Sequence, residues 1–344
     1  MGATDTLGAL AAREAAPDGI DGIRLCRYVP APRNARPEDR ARAALYLEDH
    51  LIDLRGLAAA TKFPLPEGAG DDLLDYLPPS GMAAKALATL VERYQALPEA
   101  ERRRLKQPVS SVRLLVPIPE PKKAILLAGN YAAHIVEGGM EAPERKETFP
   151  YFFWKPPSTT LTNHGDPIRI PAVSPDHVDW EIELGVVIGK QCRNVAEKEA
   201  LNHVAGYSVC NDVSDRKFTL NPQRKKRDMD GFFDWLHGKW HDTFLPMGPC
   251  IRSAASTPDP QKLGMKLRVN GKTMQDASTA QMIFPVAAIV STLSSFMTLE
   301  PGDIIVTGTP AGVGAGRIPP VYLKKGDVVE AEIEGIGILR NPVA

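Results

Sequence analysis

Hydrophobic and polar positions alternate with a period of two through "VDWEIELGVVIGK", residues 178–190. A strand with that period carries Trp180, Ile182 and Leu184 on one side, and Glu181 and Glu183 on the other. The glutamate side continues as Gly185, Val187 and Gly189, which is not the composition of a solvated face. Short apolar runs punctuated by Gly and Pro recur around it. "AILLAG", "PIRIPA", "AGYSVCNDV", "KLRVNGK", "DIIVTG" and "DVVEAEIEGIGIL" each predict a strand. Asn270-Gly271 predicts a tight hairpin, and "FPVAAIVSTLSSFMTL" predicts a helix.

The first third reads differently. "PEDRARAALYLEDHLIDLRGLAAATK" and "GMAAKALATLVERYQALPEAERRRLKQ" are Ala/Leu-rich with helical spacing, and "FPLPEGAGDD" is a loop between them. Arg102 to Arg104 suit a helix C-terminus. Pro117, Pro119 and Pro121 then break any helix, which places a boundary near residue 118. The expected architecture is α+β and mainly β: a small α-rich N-terminal domain, 1–118, and a larger domain, 119–344.

The chain has 344 residues, 43% hydrophobic and 24% charged, with a net charge of −1. That balance suggests neither a nucleic-acid partner nor a membrane surface, and no apolar run approaches the roughly 20 residues of a membrane span. The N-terminus lacks the apolar core of a secretory signal. Gly2 and Thr6 fit a loose myristoylation pattern, but no polybasic segment follows. Cys26, Cys192, Cys210 and Cys250 form no C-x-x-C pair, so free thiols in a reducing cytoplasm are expected.

Glu181 and Glu183 alone would read as the wet side of a strand. Partly buried, two such charges repel unless a proton or cation joins them. "GYSVCNDVSDR" ends a strand at Asn211-Asp212 and offers a third carboxylate, although Asn and Asp also favour turns. Three oxygen donors without His or Cys suit Mg²⁺ or Mn²⁺, with Ca²⁺ also fitting; His177 reads as a loop histidine. In "NYAAHIVEGG", His134 and Glu137 share a face of a helical turn, where the carboxylate would orient the imidazole or simply form a surface pair. "TGTPAGVGAGR" lacks the Lys-Ser/Thr of a phosphate loop, and "RIPP" blocks the helix such a loop needs. It reads as a rigid pocket rim with Thr307 and Thr309 as hydroxyl donors. The basic run Arg224 to Arg227 precedes an aromatic stretch and Lys239, which suits either a closing flap or a packed insertion.

Taken in order, "NYAAHIVE", "YFFWKPPSTTL", "VDWEIELGVVIG", "NDVSDR", "GKWHDTFLPMGP" and "LEPGDIIVTGTPAGVG" resemble the fumarylacetoacetate hydrolase superfamily, acylpyruvase-like branch, over about residues 112–344. The resemblance implies a mixed β-roll, a homodimer, and Mg²⁺ or Mn²⁺ on Glu181, Glu183 and Asp212. It implies His134 and Glu137 as a water-activating dyad, with Lys239, Tyr131, Arg216 and Thr309 facing the substrate. The implied activity is hydrolysis of a C–C bond in a 2,4-dioxo acid of the acylpyruvate or fumarylpyruvate type, as in aromatic-compound catabolism. Decarboxylation, isomerisation or lyase chemistry of a related oxo dioate through an enolate is the alternative, and a purely structural metal the remaining one. Gly129, Lys217 and Thr219 depart from the family pattern and bear on which substrate fits.

Overall fold

The computed structural model describes residues 22–30 and 41–344. Gly2, Thr6 and the reading of the N-terminal leader lie outside the described residues. The chain opens with β1 (Arg24–Pro30), β2 (Arg42–Tyr46) and β3 (His50–Asp53), followed by helices α1 (Leu54–Ala60), α2 (Ala84–Ala96) and α3 (Glu99–Leu105). The helical expectation therefore holds for 84–105 and is corrected before α1, where an antiparallel β2–β3 pair stands instead. Leu45 and Ile52 pair there, and four successive residues of β2 are buried. A strand covered on both faces shows no alternation, so its period cannot be told from that of a buried helix.

The chain continues through β4 (Ala124–Ala128), α4 (Ala132–Glu137), β5 (Tyr151–Trp154), β6 (Ile182–Ile188), β7 (Val204–Asn211), α5 (Asp230–His237) and β8 (Leu245–Ser253). After these come β9 (Gly264–Val269), β10 (Lys272–Ser278), α6 (Val286–Phe296), β11 (Ile304–Val306), β12 (Val328–Ile333) and β13 (Gly337–Pro342). Asn270 and Gly271 take positive φ values of 51° and 76°, as the β9–β10 hairpin requires. "PIRIPA" is not a strand. Flanked by prolines, it makes a single bridge from Ile168 to Val343.

Nine of these strands lie in one twelve-stranded sheet in the order β3-β2-β1-β8-β7-β6-β11-β4-β5. The short strands Gln107–Pro108, Val112–Leu115 and Leu161–Thr162 pair with β3, β1 and β8. The sheet is continuous across position 118, because β1 pairs with β8. A second sheet, β10-β9-β12-β13, is an antiparallel meander.

The two faces of β6 meet different cores. Ile182, Leu184 and Val186 join Leu267, Val329, Ala331 and Leu339 of the second sheet. Val187 joins Leu87, Leu90 and Tyr94 of α2. Two glycines make that second packing possible. A Cβ on Gly185 would lie 2.6 Å from Cys210 Sγ, and one on Gly189 would lie 2.8 Å from both Ala205 Cβ and Pro79 Cδ. The side of the strand that carries the glutamates is thus closed over by β7 and the N-terminal segment.

Candidate active site

Glu183 projects from β6, and Glu181 stands just before it, beyond the two-residue strand Val178–Asp179. Antiparallel pairing of β6 with β7 sets Ile182 opposite Asn211 and so brings Asp212 to the same rim. The rim is fixed by two bonds: Glu181 N–H donates to Asn211 Oδ1 (2.9 Å) and Asp212 N–H donates to Glu181 O (2.9 Å). One carboxylate oxygen from each of Glu181, Glu183 and Asp212 falls within 4.8 Å of the others, and all three residues are buried.

Buried anions this close need compensation. Arg216 (2.5 Å) and Lys239 (2.9 Å) flank Glu181; burial works to raise its pKa, yet these two charges hold it down at about 2. Lys239 also donates to Asp212 Oδ2 (2.6 Å). Glu183 is different. Burial, then the charges of Asp212 and Glu181, push its carboxyl well above the usual range. Its Oε2 accepts from Gly308 N–H (2.5 Å), while its buried Oε1 has no hydrogen-bond partner among the described residues. A buried carboxylate oxygen without a donor, facing two further carboxylates, fits a hard divalent cation.

The His134–Glu137 pair is formed: Nδ1 lies 2.7 Å from Glu137 Oε1 on α4. Glu137 Oε2 accepts from Gly312 N–H (2.9 Å). Burial works to raise the Glu137 pKa, but His134 and the Gly312 and Val313 N–H groups leave it lowered overall. An ionised Glu137 puts the imidazole proton on Nδ1 and leaves the Nε2 lone pair open.

The glycine-rich segment has a use that its sequence did not disclose. Its N–H groups hold the chain's own carboxylates. Gly312 holds Glu137, while Gly314 (2.6 Å) and Ala315 (3.0 Å) hold the fully buried Asp179. Asp179 in turn accepts from Arg216 Nε (2.8 Å), linking the loop to the guanidinium beside Glu181.

Two residues expected to face the substrate are bonded within the chain. Thr309 Oγ1 donates to Ile182 O (2.9 Å) and accepts from Gln275 Nε2 (2.8 Å), so it pins the loop to β6. Thr307 does the same at Leu184 O (3.0 Å). The Tyr131 hydroxyl lies against Met265 Sδ (3.3 Å) inside the core. His177 stacks edge-on with Tyr322 and stands apart from the three carboxylates, as a loop histidine would.

Sequence reasoning missed Asp179 and Lys155. Lys155 is fully buried, with Nζ 2.5 Å from Asp212 Oδ1 and a donated bond to Val213 O (2.8 Å). Burial lowers its pKa to about 8 even though the Asp212 charge opposes this. The only sequence signal was a lone lysine between an aromatic strand and two prolines. The basic run is folded back on α5: Arg224 pairs with Asp230 (2.9 Å) and Asp234, and Arg227 Nε with Asp230 (3.0 Å). Trp235 of α5 packs on Phe153 with ring centroids 5.1 Å apart.

Known proteins resemble the chain along most of its length. A family model described as "Fumarylacetoacetate (FAA) hydrolase C-terminal" matches residues 123–344. The chain is 42% identical over 234 residues to an oxaloacetate tautomerase fahd2, mitochondrial, from Xenopus laevis, covering 68% of this chain and 69% of that protein. It is 44% identical over 230 residues to a 2,4-didehydro-3-deoxy-L-rhamnonate hydrolase from Sphingomonas sp. (strain SKA58), covering 67% and 75%. The crystal structure of 2-hydroxyhepta-2,4-diene-1,7-dioate isomerase from Mycobacterium marinum superposes with a TM-score of 0.63 at 30% identity, over 94% of this chain and 98% of that one.

Proposed function

Because the chain belongs to the fumarylacetoacetate hydrolase family, we propose that it hydrolyses a C–C bond of a 2,4-dioxo acid with a divalent cation, Mg²⁺ or Mn²⁺. Glu181, Glu183 and Asp212 would hold the ion. When bound, it supplies a Lewis acid and a template for the 1-carboxylate and 2-oxo group of the substrate. The observation that carries the hydrolytic reading is the His134–Glu137 hydrogen bond, itself anchored at Gly312 N–H.

His134 Nε2 takes a proton from a water molecule, and the resulting hydroxide adds to the distal carbonyl. The C3–C4 bond then breaks, leaving its electron pair on C3 as the enolate of a 2-oxo acid. The proton held by His134 is returned to C3, and the products are a carboxylic acid and the shorter 2-oxo acid. Glu137 keeps Nδ1 protonated and the ring aimed throughout. The Lys239 ammonium, buried beside Glu181 and Asp212, stands where negative charge develops. Arg216, held by Asp179, fixes Glu181 from the other side.

A second reading is keto–enol tautomerisation, favoured by the Xenopus relative's name. It needs a proton moved at C3 but no attacking water. Incubation of the purified chain with acetylpyruvate and Mg²⁺ separates the two. Release of acetate and pyruvate, reduced about 10²–10⁴-fold in His134→Ala, supports hydrolysis. Accelerated interconversion of oxaloacetate tautomers with no cleavage of any dioxo acid supports the second reading.

A further inference from the structure

Two segments bring cations to Glu181. The two-residue strand Ser214–Asp215 delivers Arg216, and the turn after α5 delivers Lys239. The first segment is held from several sides. Ser214 and Asp215 pair with Asp179 and Val178, Arg216 N–H donates to His177 O (3.0 Å), and Arg216 Nε donates to Asp179 (2.8 Å). The second carries a long, flexible side chain, so its ammonium is placed only as well as its backbone is.

Two contacts fasten the second segment to the first. Asp215 N–H donates to Gly238 O (2.9 Å), directly before Lys239. Asp215 Oδ2 lies 3.5 Å from His241 Nε2, two residues after Lys239. Both atoms are buried, and neither has a hydrogen-bond partner among the described residues. One is a ring nitrogen able to carry a proton and the other a carboxylate oxygen, so each supplies what the other lacks. The second Asp215 oxygen accepts Lys217 N–H (3.2 Å). The His241 ring packs edge-to-face against Phe218 and Phe244, with centroids 4.9 and 5.0 Å away, which keeps it in place. Neither Asp215 nor His241 belongs to the three-carboxylate cluster.

We propose that Asp215 and His241 form a clasp that positions Lys239: the pair fixes the turn at Gly238 against the strand that carries Arg216, and so sets the Lys239 ammonium between Glu181 and Asp212. Both act through Lys239 and are positioning residues. The placement follows from the fold alone. Its effect on turnover rests on the reading that negative charge develops at that ammonium.

A double-mutant cycle followed by urea unfolding of the full chain, with chelator and no substrate, tests the placement. Asp215→Ala with His241→Phe removes both partners together and keeps a ring between Phe218 and Phe244, so no buried carboxylate is stranded. Lys239→Met should lower the folding constant about fivefold or more further in the parent chain than in this clasp-free variant, as expected for groups in one network. Equal losses in the two backgrounds would overturn the proposal, whichever reaction the protein catalyses. Turnover of acetylpyruvate and of oxaloacetate with Mg²⁺ tests the consequence. The clasp-free variant should fold as well as the parent and yet lose about 10- to 100-fold in kcat at little-changed KM. His241→Phe alone should show the same fall, and His241→Gln, whose amide can donate from the place of Nε2, should recover most of the rate. Parent kcat in both His241→Phe variants would overturn the clasp as a positioning device and leave it a packing contact. A parent chain that turns over neither compound would overturn the reading of the reaction, and the unfolding cycle then decides the clasp by itself.

Discussion

Lys155 Nζ lies 2.5 Å from Asp212 Oδ1, on the opposite oxygen from the one that Lys239 reaches. Each carboxylate oxygen of Asp212 thus faces its own buried ammonium. Lys155 also donates to Val213 O and Phe244 O, and its side chain is fully buried, so it positions Asp212 rather than meeting substrate. Replacing it by Met leaves a buried carboxylate short of one partner, a change that costs about 3–5 kcal/mol. Thermal unfolding of Lys155→Met should show a large loss of stability without divalent cation and a smaller one with saturating Mg²⁺. Equal melting temperatures for the variant and the parent chain, with chelator present, would contradict this role.

Gly316 sits against the dyad. A Cβ there would lie 2.8 Å from Glu137 Cδ and Oε2, closer than real Cβ contacts allow, so Gly316→Ala must displace the carboxylate. A shift of about 1 Å in a positioning group can cost on the order of 10²-fold in rate. The variant should lose kcat on that scale and keep the parent's Mg²⁺ affinity. Undiminished turnover would show that the anchoring of Glu137 does not matter.

His164 gives the fold a pH dependence away from the active site. Burial, reinforced by the Arg340 charge, lowers its pKa to about 4. The neutral ring accepts Arg340 N–H at Nδ1 (3.3 Å). The unfolded chain takes up this proton near pH 6.5 and the folded chain only near 4, so the unfolded state binds more protons between those values. The contribution is complete above pH 6.5 and is lost as pH falls toward 4, by up to about 3 kcal/mol. Urea unfolding across that window should show a shallower slope for His164→Gln than for the parent chain; identical slopes would rule His164 out as the source.

The site was legible where its geometry is local. Glu181 and Glu183 share a face by strand period alone, Asp212 ends its strand, and His134 and Glu137 are one helical turn apart. What depended on distant pairing was not legible. Lys155 and Asp179 acquire meaning only from Asp212, Arg216 and the glycine loop. The Thr309 hydroxyl is held by Gln275, which belongs to the other sheet. In the N-terminal third, β2 and β3 are buried on both faces, so their sequence carried no period to read, whereas α2 kept its own at Leu87, Leu90 and Tyr94. Among the described residues no helix is long and apolar enough to cross a membrane, in line with the composition.

The central claim is that Glu181, Glu183 and Asp212 hold one divalent cation, and Glu183 tests it best because its Oε1 has no hydrogen-bond partner among the described residues. Glu183→Gln keeps the shape and the Gly308 N–H acceptor while removing the charge. Calorimetric titration with Mn²⁺ should find one site per chain in the parent protein and none in Glu183→Gln, with circular dichroism of the two unchanged. Mn²⁺ binding of equal stoichiometry and affinity in Glu183→Gln would contradict the account.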